Sequence, residues 1–482
     1  MPFIDPAKYA RRAFLKRAGQ LSLTGAALPL ALNLAAMGEA AAFDSSDYKA
    51  LVCIFLSGGN DYANTVVAYD DPSYNLYSTI RGGGAEQIGG GIALARSALT
   101  PTLLTPTTPL PNGRQYALHP ALTDIARLFN SGAAAVQLNV GPLVVPLTKT
   151  QYMTGDRRAF PLPPKLFSHN DQTSLWQSSS AEGATRGWGG KIGDLALSSN
   201  SNSLFTCISV TGNAVFLSGD SALQYQVSAL GALPIAAIQN RSNAVANTLQ
   251  NLITQTRPDM FQNEYNRVTA RSIAAQGAIS AALAGATLAT PFPSPNSLAD
   301  QLKIVARLIA ARNTLGNRRQ VFMVSLGGFD NHDSLMTTHP TLLTRLNAAV
   351  ASFHAATVEL GVADKVTAFT ASEFGRTLGS NSFGTDHGWG NHHLIVGGAV
   401  KGRAFYGVPP PISVGSTSAP DDQWHTGQGR LLPTTSVDQY AATLARWFGA
   451  ADHELDAILP HLKNFGAAAG RTDYPTNLGF MA

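Results

Sequence analysis

Residues 49–61 read Lys49-Ala50-Leu51-Val52-Cys53-Ile54-Phe55-Leu56-Ser57-Gly58-Gly59-Asn60-Asp61. After Lys49 the run is apolar without a break to Leu56, the composition of a strand buried on both faces, as central strands of a parallel sheet are. Two glycines and two polar residues then follow, the chemistry of a tight turn at a strand's carboxyl end. Runs of the same kind recur at 133–140, 205–210, 320–326, 366–371 and 393–400. Segments of helical period lie between several of them, at 121–130, 297–313, 341–360 and 437–448. Strands and helices alternating in this way predict an α/β fold, a doubly wound and mostly parallel sheet flanked by helices.

Two stretches depart from that pattern. Residues 73–120 are rich in Gly, Pro, Thr and Leu and are expected to form long surface loops. Residues 240–289 are rich in Ala and Gln at helical spacing and are expected to form a helical insertion or cap.

The amino terminus has a different character. Arg11-Arg12-Ala13-Phe14-Leu15-Lys16 is followed by an apolar run from Leu21 to Ala36 and by Ala40-Ala41-Ala42. This is the pattern of a twin-arginine signal peptide over 1–42, with 43–482 as the exported α/β domain. Export predicts a periplasmic or extracellular location and the twin-arginine translocase as a passing partner. The apolar run is short for a membrane anchor and is interrupted by Thr24, Gly25 and Pro29. No later stretch is long enough to span, so no stable membrane span is expected. The signal holds Lys8, Arg11, Arg12, Lys16 and Arg17 against Asp5 and Glu39, so of the chain's net +4 only +1 falls on 43–482. A nearly neutral chain gives no reason to expect nucleic acid or an anionic membrane as partner. Cys53 and Cys207 are the only cysteines; Cys53 is expected to be a buried free thiol, and a chain folded before export is not expected to depend on disulfides.

In an open α/β sheet, ligands gather at the carboxyl ends of the strands. Acids and histidines stand there four times: Asp61; Asp330 and His332 in Gly327–Asp333; Glu373 and Arg376 in Ser372–Thr377; Asp386 and His387 in Gly384–Gly388. Carboxylate and imidazole are the ligand set of a divalent metal such as zinc or manganese, while calcium and magnesium prefer more oxygen. Each residue also has a plainer role open to it. Asp61 alone is as readily a helix N-cap, and Glu373 with Arg376 an ordinary ion pair. Asp330 and His332 face the same way only if the chain is extended there. His392 and His393 would face opposite sides of a strand, so at most one could join a site.

Taken together, Phe55–Asp61, Gly327–His332, Ser372–Thr377 and Gly384–Gly388, with the signal peptide, His119-Pro120 and Phe167-Ser168-His169, resemble the twin-arginine-exported bacterial family catalogued as domain of unknown function 1501. The resemblance covers nearly all of the chain after the signal. It implies an alkaline phosphatase-like fold, in a clan whose sheet carries one or two divalent metals, here zinc, manganese, calcium or magnesium. By order along the chain it implies Asp61 as ligand to one metal, Asp330 and His332 to the other, and His387, with Asp386 beside it, as the last histidine ligand. Glu373 falls where the clan has the histidine of an Asp-His pair, a departure that leaves the metal and its number open. Ser168 is the candidate nucleophile and equally a helix N-cap. Arg376 is expected to grip the substrate anion, helped by backbone donors of the Gly58-Gly59 turn. Neither cysteine lies in the C-x-P-x-R pattern of formylglycine sulfatases, which sets that mechanism aside.

Two functions follow as expectations. One is an exported metal-dependent hydrolase of phosphate esters, secondarily of sulfate esters. The other is a non-catalytic secreted binding or assembly protein on the same fold, acting with a co-encoded exported partner.

Overall fold

The computed structural model describes residues 45–82, 91–239 and 242–482, so the expected signal peptide lies outside the described residues. Its strands are β1 Lys49–Ser57, β2 Val66–Ala68, β3 Tyr116–Leu118, β4 Ala134–Gly141, β5 Cys207–Ser209, β6 Gln224–Ser228, β7 Gly231–Ala232, β8 Arg319–Gly327, β9 Val366–Ala371, β10 Asn391–Val396, β11 Phe405–Tyr406 and β12 Thr435–Ser436. The main sheet runs β11-β4-β10-β9-β1-β8-β5-β6-β7, with β12 also paired to β4. β1 lies between β8 and β9, parallel to both. β10 is antiparallel to its neighbours β9 and β4.

The apolar run that predicts this architecture feeds both faces of the sheet. Ala50, Val52, Ile54 and Leu56 enter one core, against the helices Thr123–Asn130, Ser297–Ala310 and Leu335–Glu359. Leu51, Cys53 and Phe55 enter the other, against Trp188–Ala196 and Val437–Phe448. Side chains alternate across a strand, so a strand apolar at every position is stable only with helices on both sides. Fully burying one such side chain stabilises by about 1.5–3 kcal/mol, which makes β1 the natural centre of the fold. The doubly wound, mostly parallel sheet flanked by helices is thus as expected. Cys53 and Cys207 are buried free thiols, and burial pushes both thiols up.

Residues 73–120 are not the run of loops expected. They open inside a helix, Asp71–Ile80, which Asp70 caps and Pro72 starts, and they close on β3, which pairs with β2. The helix Leu335–Glu359 begins ahead of the expected 341 because it tolerates Pro340 inside its early turns. Two helices, Ala244–Thr254 and Met260–Ala284, occupy the Ala- and Gln-rich stretch. Among the described residues no helix is long and apolar enough to cross a membrane.

Candidate metal centre

Strand direction decides what can meet. β4, β1, β8 and β9 run the same way, and β10 runs against them, so the ends of the first four and the start of β10 share one edge. The segments after Ser57, Gly327 and Ala371 and the one before Asn391 converge there. The segment after β4 adds the helix His169–Ser178. Gly58 makes the approach close enough: it sits at φ +120°, and a Cβ on it would lie 2.3 Å from the backbone nitrogen of Asp330, so no other residue fits.

Asp330 is the hub. Its Oδ1 lies 3.2 Å from both His387 Nε2 and His332 Nε2, and its Oδ2 lies 3.4 Å from His169 Nε2. The two Nε2 atoms of His332 and His387 are 3.0 Å apart. His169, Asp330 and His387 each offer a ligand atom, and these atoms lie within 4.8 Å of one another.

The surroundings fix which nitrogens face the cluster. His387 Nδ1 donates to the Phe167 carbonyl at 2.7 Å, so in the neutral ring Nε2 keeps the lone pair. Phe167 reaches that carbonyl position with φ at +72°, an unfavourable conformation for a phenylalanine and one found preferentially at functional sites. His169 Nδ1 donates to Glu373 Oε1 at 2.8 Å, and Gly58 N donates to the same oxygen at 2.8 Å. His169 Nε2 is therefore the atom left toward Asp330. A carboxylate behind a histidine is the usual outer partner of a metal-bound imidazole.

Charge follows from these contacts. Burial acts to raise Asp330, but the Arg376 hydrogen bond and charge, with His169 and His332 nearby, hold its carboxyl below the usual range. The Glu373 hydrogen bond draws His169 up against the effect of burial. Burial draws His387 down, opposed by its bond to Phe167 and reinforced by Arg376 and His169. Asp330 Oδ1, already bonded to Arg376, lies 3.2 Å from each of two imidazole nitrogens that are themselves 3.0 Å apart, and two nitrogens facing each other at that distance call for a proton or a metal shared between them. Ligand atoms of a tetrahedral site with bonds of about 2.0–2.1 Å stand about 3.3 Å apart. Asp330 stands at that spacing from His387 and His332 and at 3.4 Å from His169, while the His169, Asp330 and His387 ligand atoms spread over up to 4.8 Å and would draw together around a zinc-sized ion.

The expected site residues divide. Asp330 and His387 are in the group, and His332 and Asp386 adjoin it, with His332 Nδ1 3.4 Å from Asp386 Oδ1. Glu373 stands behind His169, holding it, rather than in the group. Asp61 is fully buried and otherwise engaged: it caps the helix Tyr62–Thr65 through Asn64 N, pairs with Arg81 at 3.1 Å and accepts from Thr385 Oγ1 at 3.1 Å. Arg376 has no exposure and no free face. It donates from NH1 to Asp330 Oδ1 at 2.6 Å and to Gly58 O, and from its other nitrogens to Thr385. Ser168 stands at the N-cap position, but its hydroxyl donates to Asp171 Oδ2 at 2.9 Å. Of the Gly58-Gly59 turn, expected to add backbone donors, the Gly58 amide is bound to Glu373, and the Asn60 amide that follows it is bound to Ser372 Oγ. His392 and His393 are both buried in β10, and neither joins the group. His169 was the residue not foreseen, although it lies in the quoted Phe167-Ser168-His169.

Fold and site together define a doubly wound α/β protein with a histidine and carboxylate cluster, able to hold a metal ion, at the carboxyl edge of its sheet. The chain belongs to the family described as Protein of unknown function (DUF1501), which matches residues 48–459. Among solved structures, the lipoteichoic acid synthase LtaP from Listeria monocytogenes is similar at 8% identity, over 77% of this chain and 68% of its own, with a TM-score of 0.30. The PsFucS1 sulfatase from Pseudoalteromonas sp. is similar at 8% identity, over 94% of this chain and 73% of its own, with a TM-score of 0.32. Ps i-CgsB, solved in complex with k-i-k-neocarrahexaose, shows 10% identity over 87% and 77%, with a TM-score of 0.34. No curated protein sequence matches the chain.

Proposed function

We propose that this chain is an exported metal-dependent hydrolase of phosphate esters, with sulfate esters as the second substrate class. The observation that carries the reading is the convergence of His169, Asp330 and His387, each already turned to present one ligand atom. Three protein ligands with a remaining open position is the pattern of catalytic sites, whereas structural sites are closed by four. His169, Asp330 and His387 would hold the ion, which when bound supplies Lewis-acid polarisation of the ester and a lowered pKa for an attacking water.

The chain's own groups do the rest. Arg376 keeps Asp330 ionised, and Glu373 and the Phe167 carbonyl keep two imidazoles in the ligating tautomer. His332, half exposed beside the cluster with Asp386 at its Nδ1, is placed to take and return a proton at Nε2. Ser168 is committed to Asp171, so water serves as nucleophile. Export by the twin-arginine pathway, to the periplasm or beyond, belongs to the same proposal and rests on Arg11–Lys16.

The test is metal analysis by mass spectrometry on protein recovered after export, together with release of p-nitrophenol from its phosphate and sulfate esters. Bound metal, chelator-sensitive turnover and retention of turnover by Ser168→Ala are expected. Protein that takes up no zinc or manganese and turns over neither ester would overturn the reading.

A further inference from the structure

Arg376, expected to grip the anion, has its nitrogens bound to Asp330, Gly58 and Thr385, and a second arginine stands beside the group. Arg430 donates from Nε to the carbonyl of His387 at 2.7 Å, and its guanidinium lies over the Phe167 ring at 5.4 Å from the centroid. The residue that presents Nε2 to the metal group therefore also anchors Arg430 by its backbone. Phe167, whose carbonyl orients the His387 ring, supports the guanidinium face. Arg430 ends a tight turn in which Thr426 N bonds its carbonyl and its own amide bonds Gly427 O, both at 2.9 Å. That turn is tied to the sheet edge by Leu378 N and Tyr62 Oη, which both donate to Gly429 O.

What distinguishes Arg430 is what it lacks. Arg81, Arg319 and Arg376, the fully buried arginines, are paired with Asp61, Asp47 and Asp330. Arg430 is half-buried and forms no direct ion pair among the described residues, the Asp386 carboxylate acting on it only from beyond contact, and neither terminal nitrogen donates to a protein acceptor there. A cation removed from part of its water with no anion in direct contact is less favourable than a paired one, and an anion arriving in contact would pair with it. With Nε held, the remaining N–H groups keep the planar fork that matches two oxygens of a tetrahedral oxyanion.

We propose that Arg430 is the anion-binding residue of this site and takes two non-bridging oxygens of a phosphate or sulfate ester beside His387. The proposal rests on the hydrolase reading for its substrate class, but the anion contact itself is separable from metal binding.

The experiment is calorimetric titration of inorganic phosphate and of sulfate into full-length wild type, Arg430→Ala and Arg430→Lys, each metal-free and zinc-loaded, with zinc content measured in parallel. Arg430→Ala is expected to weaken oxyanion binding at least 10-fold in both states while zinc content stays at the wild-type value. Arg430→Lys should recover part of the loss, because it restores charge without the fork. Whichever of phosphate and sulfate the wild type binds more tightly names the ester class. Equal oxyanion affinity in wild type and Arg430→Ala, or no oxyanion binding by the wild type in either state, overturns the proposal. A wild type that takes up neither zinc nor manganese and turns over neither ester, while phosphate affinity still falls on Arg430→Ala, would sink the hydrolase reading and leave the Arg430 assignment standing.

Discussion

His169 Nδ1 lies 2.8 Å from Glu373 Oε1, and that oxygen also accepts from Gly58 N, so one carboxylate ties a helix start to the turn after the central strand. An outer partner of this kind tunes a ligand without being one. Glu373→Gln keeps the size and an acceptor but removes the charge. It should lower zinc affinity by about 10–100-fold at unchanged stoichiometry. Competition against a chromophoric chelator reads this directly. Unchanged affinity would remove Glu373 from the site.

His169→Ala, Asp330→Ala and His387→Ala should each abolish stoichiometric zinc binding. His169 is partly exposed, so His169→Ala should leave cooperative thermal unfolding in place, whereas Asp330→Ala removes the counter-ion of the buried Arg376 and should lower stability, so its zinc content is read per folded chain. His332→Ala should keep most of the metal and lose turnover. Mass-spectrometric metal content and p-nitrophenyl phosphate turnover on the same samples separate the roles. Full metal content in Asp330→Ala would end the case for this cluster.

Asp61 should behave as a structural residue. Asp61→Ala strands Arg81 without a counter-ion in the interior and should destabilise the fold by about 3–5 kcal/mol. Arg81→Met on top of it should restore part of the loss, since the double change leaves no unpaired buried charge. Zinc content per folded chain should not change. Guanidinium unfolding of the single and double variants tests the first point, and loss of zinc from folded Asp61→Ala protein would return Asp61 to the ligand set.

Stability should fall with acid well above the carboxylate range. Burial holds His119, His392 and His393 down to about 3 and His339 to about 4, against 6.5 when unfolded. The unfolded chain thus binds more protons than the folded one below pH 6.5. The stability these neutral histidines carry is complete above 6.5 and is lost as pH falls toward 4 and 3. Each adds up to about 1.4 kcal/mol per pH unit within that window. His393 packs on Trp176 and Tyr440 at 5.0 and 5.9 Å, so a phenylalanine suits its surroundings. His393→Phe should make the decline shallower by one proton's worth. Denaturant midpoints at pH 7, 6, 5 and 4 give the slopes; identical slopes would refute the linkage.

Much of the fold was legible because it follows from local periodicity. An apolar run from Ala50 to Leu56 can only be a strand covered on both faces, and the parallel order around it follows from the helices between the strands. Residues 73–120 were misread because capping by Asp70 and pairing of Tyr116–Leu118 with Val66–Ala68 outweigh composition. At the site, sequence order brought Asp330 and His387 to the correct edge. It could not separate a ligand from a neighbour.

By itself the sequence determined the alternation of strands and helices, the edge of the sheet where acids and histidines gather, and the residue types available there. Those depend on the local chain and on the direction of parallel strands. Only the tertiary structure decided that His169 joins Asp330 and His387, that Glu373 stands behind His169, that Asp61 and Arg376 are consumed in ion pairs, and that Arg430 has no direct ion pair among the described residues. Those assignments turn on which oxygen or nitrogen lies within about 3 Å of which other, a scale set by contacts between segments from 20 to 204 residues apart, on which sequence spacing is silent.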